Sequence, residues 1–369
     1  MRTRAAIHHG PGTPFEVAEV EMADPGPDDV VVRMVAVGIC GTDLHSVRGE
    51  WNRPTPMVLG HEGSGVIEAV GSSVDPGRVG EEVVLAWAPS CGSCADCRRG
   101  RPAACLELHR AIGAGTLLDG TTGMSLRGAT LYRGTATGAL AERLVVNHRV
   151  ALATGGDIPL HQAALLGCAA LTGVGAVLFA ARPSPGAVVL VIGAGGVGQF
   201  CIQAARIANA SLIICSDPIA ARRTRATEMG ATRAVDPAEI PELMASVAPE
   251  GADLALDVVG NPETAACALR WTRSGGTAVI VGLPPAGARL DLDFADFNRR
   301  EKWLTGTMYG SEDPAVALPI LLEHVRNGRL ELEAMVGPVY PLSRVNEAFE
   351  ASLAGSPGRV LVSPTTDSL

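Results

Sequence analysis

Two textures of hydrophobic patterning divide the chain. Over residues 1–150, short runs such as Asp29–Val37 and Gly65–Val70 alternate apolar and polar positions. Turn-forming clusters such as Pro25-Gly26-Pro27 and Asp75-Pro76-Gly77 separate them. Alternation places successive side chains on opposite faces of an extended chain, so this half predicts a β-rich domain of many short strands. From about Ile158 continuous apolar runs take over: Ala187–Ile192, Leu212–Ser216, Leu254–Val258 and Thr277–Val281. Helical stretches such as Gly198–Ala208 and Ile219–Met229 lie between them. Strands apolar on both faces, alternating with helices, predict a parallel sheet of βαβ units and hence an α/β fold class. Past about Tyr309 the pattern predicts a helix over Ala315–Asn327 and a last strand over Arg359–Val362.

At 369 residues the chain is long enough for about two domains. Hydrophobic residues make up 47% and charged residues 19%, which supplies buried cores and excludes a disordered chain. The net charge of −9 comes with no basic run or stripe, so neither nucleic acid nor an anionic membrane surface is an expected partner. Nine cysteines, an odd number, argue for a reducing compartment over a disulfide framework. The first eleven residues, Met1 to Pro11, carry arginines and no apolar core of a secretory signal. Ala163 to Ala181 runs nineteen residues without charge, long enough to span a bilayer, but three glycines and many alanines leave it few bulky side chains. A helix packed between two domains is the expectation, and with it a cytoplasmic location. Lys302 is the lone lysine among basic residues that are otherwise arginine.

One glycine motif sits in the setting that gives it meaning. Val188–Ile192 leads into Gly193-Ala194-Gly195-Gly196-Val197-Gly198, and the helical stretch follows at once. In such a turn the first glycine permits the bend, the second lets a pyrophosphate approach the backbone, and the third lets helix pack on strand. The helix N-terminus adds free N–H groups for the phosphates. Asp217, nineteen residues after Gly198, stands at the end of the next strand. A carboxylate there accepts from ribose hydroxyls and repels a 2′-phosphate, so NAD is expected over NADP. Arg222 and Arg223 follow closely, either along the adenosine or as solvated helix-face charges.

Cys91, Cys94, Cys97 and Cys105 fall in a C-x2-C-x2-C-x7-C spacing. Four thiolates so close repel one another unless a cation holds them, and four sulfurs close a tetrahedron around one Zn²⁺ with no position for substrate. The predicted site is therefore structural. Three further candidates lie in separate segments: Cys40 in Gly38-Ile-Cys-Gly-Thr-Asp-Leu-His45, His61 in Gly60-His-Glu62, and Cys168 in Leu166-Gly-Cys168. Spacing alone does not unite them.

Taken together, these segments resemble the zinc-containing medium-chain alcohol dehydrogenase family. The resemblance runs from about Val17 onward. It rests on G-I-C-G-T-D-x-H, on G-H-E-G-S-G-V-I-E-A-V-G, on the four-cysteine lobe and on the G-A-G-G-V-G turn. Asp119-Gly-Thr, Arg127-Gly and Gly138-Ala-Leu-Ala-Glu142 are similar to the loop of the liver-type branch. The family implies a GroES-like catalytic domain over 1–168 with the zinc lobe at 91–105. It also implies a Rossmann doubly wound parallel sheet over 169–307 and a return to the catalytic domain over 308–369.

The same resemblance implies two Zn²⁺ per chain. Cys40, His61 and Cys168 become ligands of a catalytic zinc, with Asp43 holding the second ring nitrogen of His61 and Glu62 tuning the metal. Thr42 takes the alcohol proton and passes it through the nicotinamide ribose to His45, while hydride leaves a zinc-bound alkoxide for NAD. Arg359 matches a phosphate contact, and Gly41 stands where relatives often carry a basic residue, so looser cofactor binding is expected. The aligned pocket positions are Trp51, Trp87, Gly134, Leu283 and Met308. Gly134 replaces what is frequently a bulky aromatic, which predicts room for aromatic, branched or long-chain primary alcohols. A formaldehyde-type dehydrogenase acting on an S-hydroxymethyl thiol adduct is the alternative, with His109 and Arg110 facing the thiol's carboxylates. A non-catalytic NAD- or zinc-binding protein on the same scaffold is a third reading. Family members are homodimers or homotetramers joined through the edge of the nucleotide-binding sheet, and Thr277–Leu292 is the expected contact segment.

Overall fold

The computed structural model describes residues 1–87 and 89–365. They divide into two compact units. One comprises Met1–Ala169, Asp313–Leu322 and the segment from Leu332 onward; the other comprises Ala170–Glu312 and Glu323–Glu331. The return expected at 308 thus begins at Asp313, and residues 323–331 fold with the second unit.

The first unit is the β-rich one. Its seven-stranded sheet is organised around Asp29–Gly38, which pairs antiparallel with Glu62–Val70, Arg143–Asn147 and Arg359–Ser363. The pairing sets Gly38 opposite both Glu62 and Leu361, which brings the start of one neighbouring strand toward the start of the other although almost 300 residues separate them. A six-stranded sheet built on Arg2–His8 and Glu16–Met22 completes the unit. Between the sheets Ile7, Val32, Met34, Ile67, Leu140 and Leu144 are fully buried or nearly so. At roughly 1.5–3 kcal/mol for each large apolar side chain, this shared core supplies the rigidity on which the site depends.

The second unit carries the expected parallel sheet, a Rossmann arrangement. Its order is Arg233–Val235, Leu212–Ser216, Val188–Ile192, Ala252–Asp257, Thr272–Ile280, Trp303–Gly306. The chain reverses its direction of winding at Val188–Ile192, and ligands of such sheets bind outside the carboxyl ends of the strands at that reversal. Leu190, Ile192 and Ile214 pack against Ile240 and Met244 of the helical layer. The strand that runs into the expected contact segment is an inner strand of this sheet. Thr277–Ile280 is flanked by Trp303–Gly306, a short strand without alternation, and that strand is the edge.

No single helix among the described residues is long and apolar enough to cross a membrane. The uncharged stretch is broken at Cys168, whose φ of −146° and ψ of −67° interrupt it between Ala164–Gly167 and Ala169–Gly175.

Candidate metal and nucleotide sites

The break in the helix has a chemical consequence: it presents the Cys168 thiol to Cys40 and His61. All three residues are buried, and their ligand atoms lie within 4.8 Å of one another. Cys40 reaches this point as the extended residue before helix Gly41–Val47, and His61 as the residue before strand Glu62–Val70. Asp43, in the first turn of that helix, ties the two segments together. Its carboxylate accepts from Cys40 N and from Gly60 N, both at 3.1 Å, and lies 3.4 Å from Nδ1 of His61.

The Cys40 and Cys168 sulfurs are 4.0 Å apart. A tetrahedral zinc with Zn–S bonds of ~2.3 Å sets its sulfurs about 3.8 Å apart, so the pair is spaced for one ion. Both ring nitrogens of His61 are buried without a hydrogen bond: Nδ1 faces Asp43 at 3.4 Å, and Nε2 has no carboxylate facing it and is an orphan that a metal would satisfy. The charges point the same way. The hydrogen bond from Cys168 holds the Cys40 thiol well below its ordinary value against the opposing effect of burial, with Arg359 assisting. That same bond, together with burial, keeps Cys168 well above. Burial opposes protonation of His61, yet the charges of Asp43 and then Cys40 carry it up to about 10. A cluster that draws positive charge into a dry interior fits Zn²⁺.

Glu62 and Arg359 close the site from below. The two form a bidentate ion pair, with Nε to Oε1 and Nη2 to Oε2 both at 2.7 Å, while Nη1 donates to the Ile39 carbonyl at 3.1 Å. Burial drives the Glu62 carboxyl up, with the Cys40 charge adding to it, and Arg359 opposes both. The expectation that Arg359 serves a cofactor phosphate needs correcting, because its guanidinium is spent inside this unit. Sequence reasoning placed both residues near the site but could not pair them.

The four-cysteine lobe is assembled as expected, with no disulfide among its members. Cys91 and Cys97 are 3.8 Å apart and Cys94 and Cys97 3.4 Å, again the spacing of zinc thiolates. The Cys94 N–H donates to the Cys91 sulfur and the Cys91 N–H to that of Cys105. Hydrogen bonds from Ser93 bring Cys91 down to about 6, while burial and the Cys94 thiol push Cys97 up to about 12.

Of the pocket positions, Trp87 stands edge-on to His61 with ring centres 5.7 Å apart, and Trp51 stacks on His45 at 4.6 Å. Leu283 and Met308 belong to the second unit. Gly134 does not open space as expected. A Cβ there would meet Leu59 Cδ2 at 2.9 Å and Leu59 Cα at 3.0 Å, so the residue is glycine because two backbones pass closely. The neighbouring Arg133, buried throughout, holds this segment by donating to the carbonyls of Thr122, Thr137 and Val145. No sequence signal marked it. His109 and Arg110 are exposed, and Arg110 pairs with Glu107 on its own helix.

In the second unit the glycine turn has the geometry its motif requires. Gly193 has φ +98°, and a Cβ on Gly198 would fall 1.9 Å from the Gly193 carbonyl oxygen. A Cβ on Gly195, before helix Gly196–Ile207, would meet nothing within 4 Å, which leaves the approach to the helix N-terminus clear for a phosphate. Gly196 and Val197 form the first turn of that helix. Asp217 accepts from Ala194 N and Ile219 N, each at 2.8 Å, so its carboxylate is fixed to the glycine turn itself. Arg222 has Nη1 3.8 Å from Asp217 and leaves Nε without a hydrogen-bond partner. Arg223 is spent on the Asp217 and Pro218 carbonyls and on Asp236.

Comparison with known proteins places this geometry. A model of the alcohol dehydrogenase GroES-like domain matches residues 26–155, and one of zinc-binding dehydrogenases matches residues 196–323. An alcohol dehydrogenase zinc-binding domain protein from Burkholderia ambifaria is 31% identical with a TM-score of 0.93, over 99% of this chain and 100% of that one. Benzyl alcohol dehydrogenase from Acinetobacter calcoaceticus is 28% identical with a TM-score of 0.92, over 98% and 99%. A zinc-binding dehydrogenase from Sinorhizobium meliloti 1021, bound to NADP, is 28% identical with a TM-score of 0.80, over 99% and 100%.

Proposed function

The chain belongs to the zinc-containing medium-chain alcohol dehydrogenase family, and from that premise we propose that it is an NAD-dependent enzyme interconverting primary alcohols and aldehydes. The observation that carries the reading is the buried Cys40–His61–Cys168 cluster with its orphaned Nε2. Two thiolates and a neutral imidazole would hold Zn²⁺ with no net charge. Zinc there supplies Lewis-acid polarisation of the substrate oxygen, and NAD supplies the hydride acceptor. Cys91, Cys94, Cys97 and Cys105 hold a second, structural ion.

Around these groups the chain's own residues have defined tasks. Asp43 fixes the orientation of His61, the usual duty of a carboxylate behind a metal-bound histidine. Thr42 and His45, three residues apart on one helix and hence on one face, take the alcohol proton and move it outward. The Gly193–Gly198 turn receives the pyrophosphate. Asp217 keeps lone pairs for the ribose hydroxyls and repels a 2′-phosphate, which supports NAD although the Sinorhizobium relative holds NADP. Trp51 and Trp87 give the pocket aromatic walls, and the likeness to a benzyl alcohol dehydrogenase supports aromatic or long-chain alcohols over ethanol. Trp303, 69% exposed on the edge strand, fits a homodimer or homotetramer contact.

The test is NADH formation across a panel of alcohols, with NADP⁺ as competing cofactor and formaldehyde plus glutathione in the same plate. Turnover of benzyl and long-chain alcohols with NAD⁺ is expected. Turnover confined to the formaldehyde–thiol mixture would replace this reading with the thiol-adduct one.

A further inference from the structure

His45 is held from two sides by residues that no motif marks. Helix Gly41–Val47 ends in a tight turn: Gly49 takes the left-handed conformation at φ +71°, and Glu50 N donates back to the His45 carbonyl at 3.0 Å. The chain therefore doubles back over the last helical turn. The reversal sets the Glu50 carboxylate on Nδ1 of His45 and lays the Trp51 ring flat on the imidazole, 23° from parallel. The Arg53 guanidinium in turn stands over the Trp51 ring, 5.3 Å from its centre.

The charged groups near His45 are few. Glu50 touches it, and Arg48 sits 3.8 Å from Glu50. Asp43, on the inner side of the same helix, is spent on Cys40 N, Gly60 N and His61. His8 bonds the Ser46 backbone. Among the described residues, Glu50 is thus the one carboxylate bonded to the ring. Its side chain is 27% exposed against 17% for His45, so it is the more solvated end of the pair.

We infer that Glu50 is the positioning residue for His45 and the point at which the reaction's proton leaves the protein, an inference that rests on the alcohol dehydrogenase reading above. A carboxylate on Nδ1 fixes the hydrogen there and leaves the lone pair on Nε2. When alcohol is oxidised, an O–H bond breaks on the donor side and an N–H bond forms at Nε2. The resulting imidazolium is paired with the Glu50 carboxylate, so no unpaired charge is left in a largely covered position. Water then takes the Nδ1 proton through Glu50, and exchange of the ring hydrogens with solvent returns the hydrogen from Nε2 to Nδ1 before the next turnover. Only a proton moves in these steps, with no change of oxidation state. In aldehyde reduction the same sequence runs backward.

The experiment compares the zinc-loaded wild-type chain with Glu50→Gln and Glu50→Asp. Glu50→Gln keeps the size and an acceptor oxygen but removes the charge. Zinc content and NADH binding are measured first, to show each variant folded. Glu50→Gln is expected to lose between about ten- and a hundredfold in kcat/KM at neutral pH, by analogy with the loss of a carboxylate behind a metal-bound histidine. The loss narrows in alkaline solution, and raising the concentration of a tertiary-amine buffer restores rate, because an external base replaces the missing exit. Glu50→Asp retains most of the activity. Independently of turnover, nitrogen NMR of labelled histidine shows His45 protonated at Nδ1 in the wild type and shifted toward Nε2 in Glu50→Gln. An active wild type whose Glu50→Gln variant keeps its rate overturns this inference alone. So does a loss uniform across pH and deaf to buffer, which marks a merely structural residue. A wild type inactive on every alcohol overturns both readings.

Discussion

Replacing Arg359 with methionine tests whether the buried ion pair supports the candidate metal site. The substitution keeps much of the side chain's length and removes three hydrogen bonds at once, two to Glu62 at 2.7 Å and one to the Ile39 carbonyl at 3.1 Å. Glu62 is fully buried and Arg359 has 9% of its side chain exposed, so water cannot step in. What remains to Glu62 is one hydrogen bond from Ala169 N at 3.0 Å. Removing one partner of a buried pair costs about 3–5 kcal/mol, mainly because the survivor's charge is stranded. In a unit of this size each kcal/mol is worth roughly 2–4 °C in melting temperature, so a fall of about 6–20 °C is expected.

The assay is thermal and denaturant unfolding in zinc-replete buffer, with Glu62→Gln and the double variant completing the cycle. If the cost is the stranded charge, Glu62→Gln combined with Arg359→Met recovers part of the loss, since an uncharged amide replaces the carboxylate. An Arg359→Met variant within about 1 kcal/mol of wild type, the value of a solvent-exposed pair, would refute the reasoning. A double variant no more stable than the single one would show that the Ile39 bond carries the effect.

Three further outcomes follow from the geometry. Gly41→Arg has open space around its new Cβ, so it folds normally; if the pyrophosphate passes this helix as the family resemblance implies, titration shows NADH bound roughly ten- to a hundredfold tighter, whereas an unchanged dissociation constant removes the looser-binding expectation. Burial lowers the affinity of His8 for a proton below the ordinary value of 6.5, helped by His9 and opposed by the bond to Ser46. The unfolded chain then binds more protons than the folded one, so stability is complete above pH 6.5 and declines as pH falls below it; His8→Leu flattens that decline in melting curves, and parallel curves for the two proteins would contradict the assignment. Cys97→Ser lowers metal analysis from two zinc ions per chain to one and reduces the melting temperature; two ions retained would place the second metal elsewhere.

The two textures of the chain announced its two kinds of sheet, because side-chain burial on one face or both is written directly into local periodicity. Strand Leu212–Ser216 falls where the apolar run lies, and Asp29–Gly38 extends its run by one residue. Trp303–Gly306 escaped notice because an edge strand four residues long needs no alternation to be held by its neighbour. At the sites the same division holds. Cysteine spacing and the glycine turn are local, so both were legible. Cys40, His61 and Cys168 were united only by family resemblance, since the strand register and the helix break that join them are products of the whole fold.

Gly134 shows the deeper limit. A glycine tells the reader that a side chain is missing but not which way it would have pointed. Family resemblance implied that it would have pointed into a pocket; the structure supplies Leu59, 2.9 Å from where the Cβ would lie. The missing atoms were excluded by packing, so this position is no argument for a broad pocket. Glu50 is the converse case. Nothing about a lone glutamate after a glycine signals chemistry until the left-handed turn at Gly49 folds it back onto His45. A functional pair made by a chain reversal is invisible to spacing for the same reason that it is rigid: the backbone, not the residue count, sets the contact.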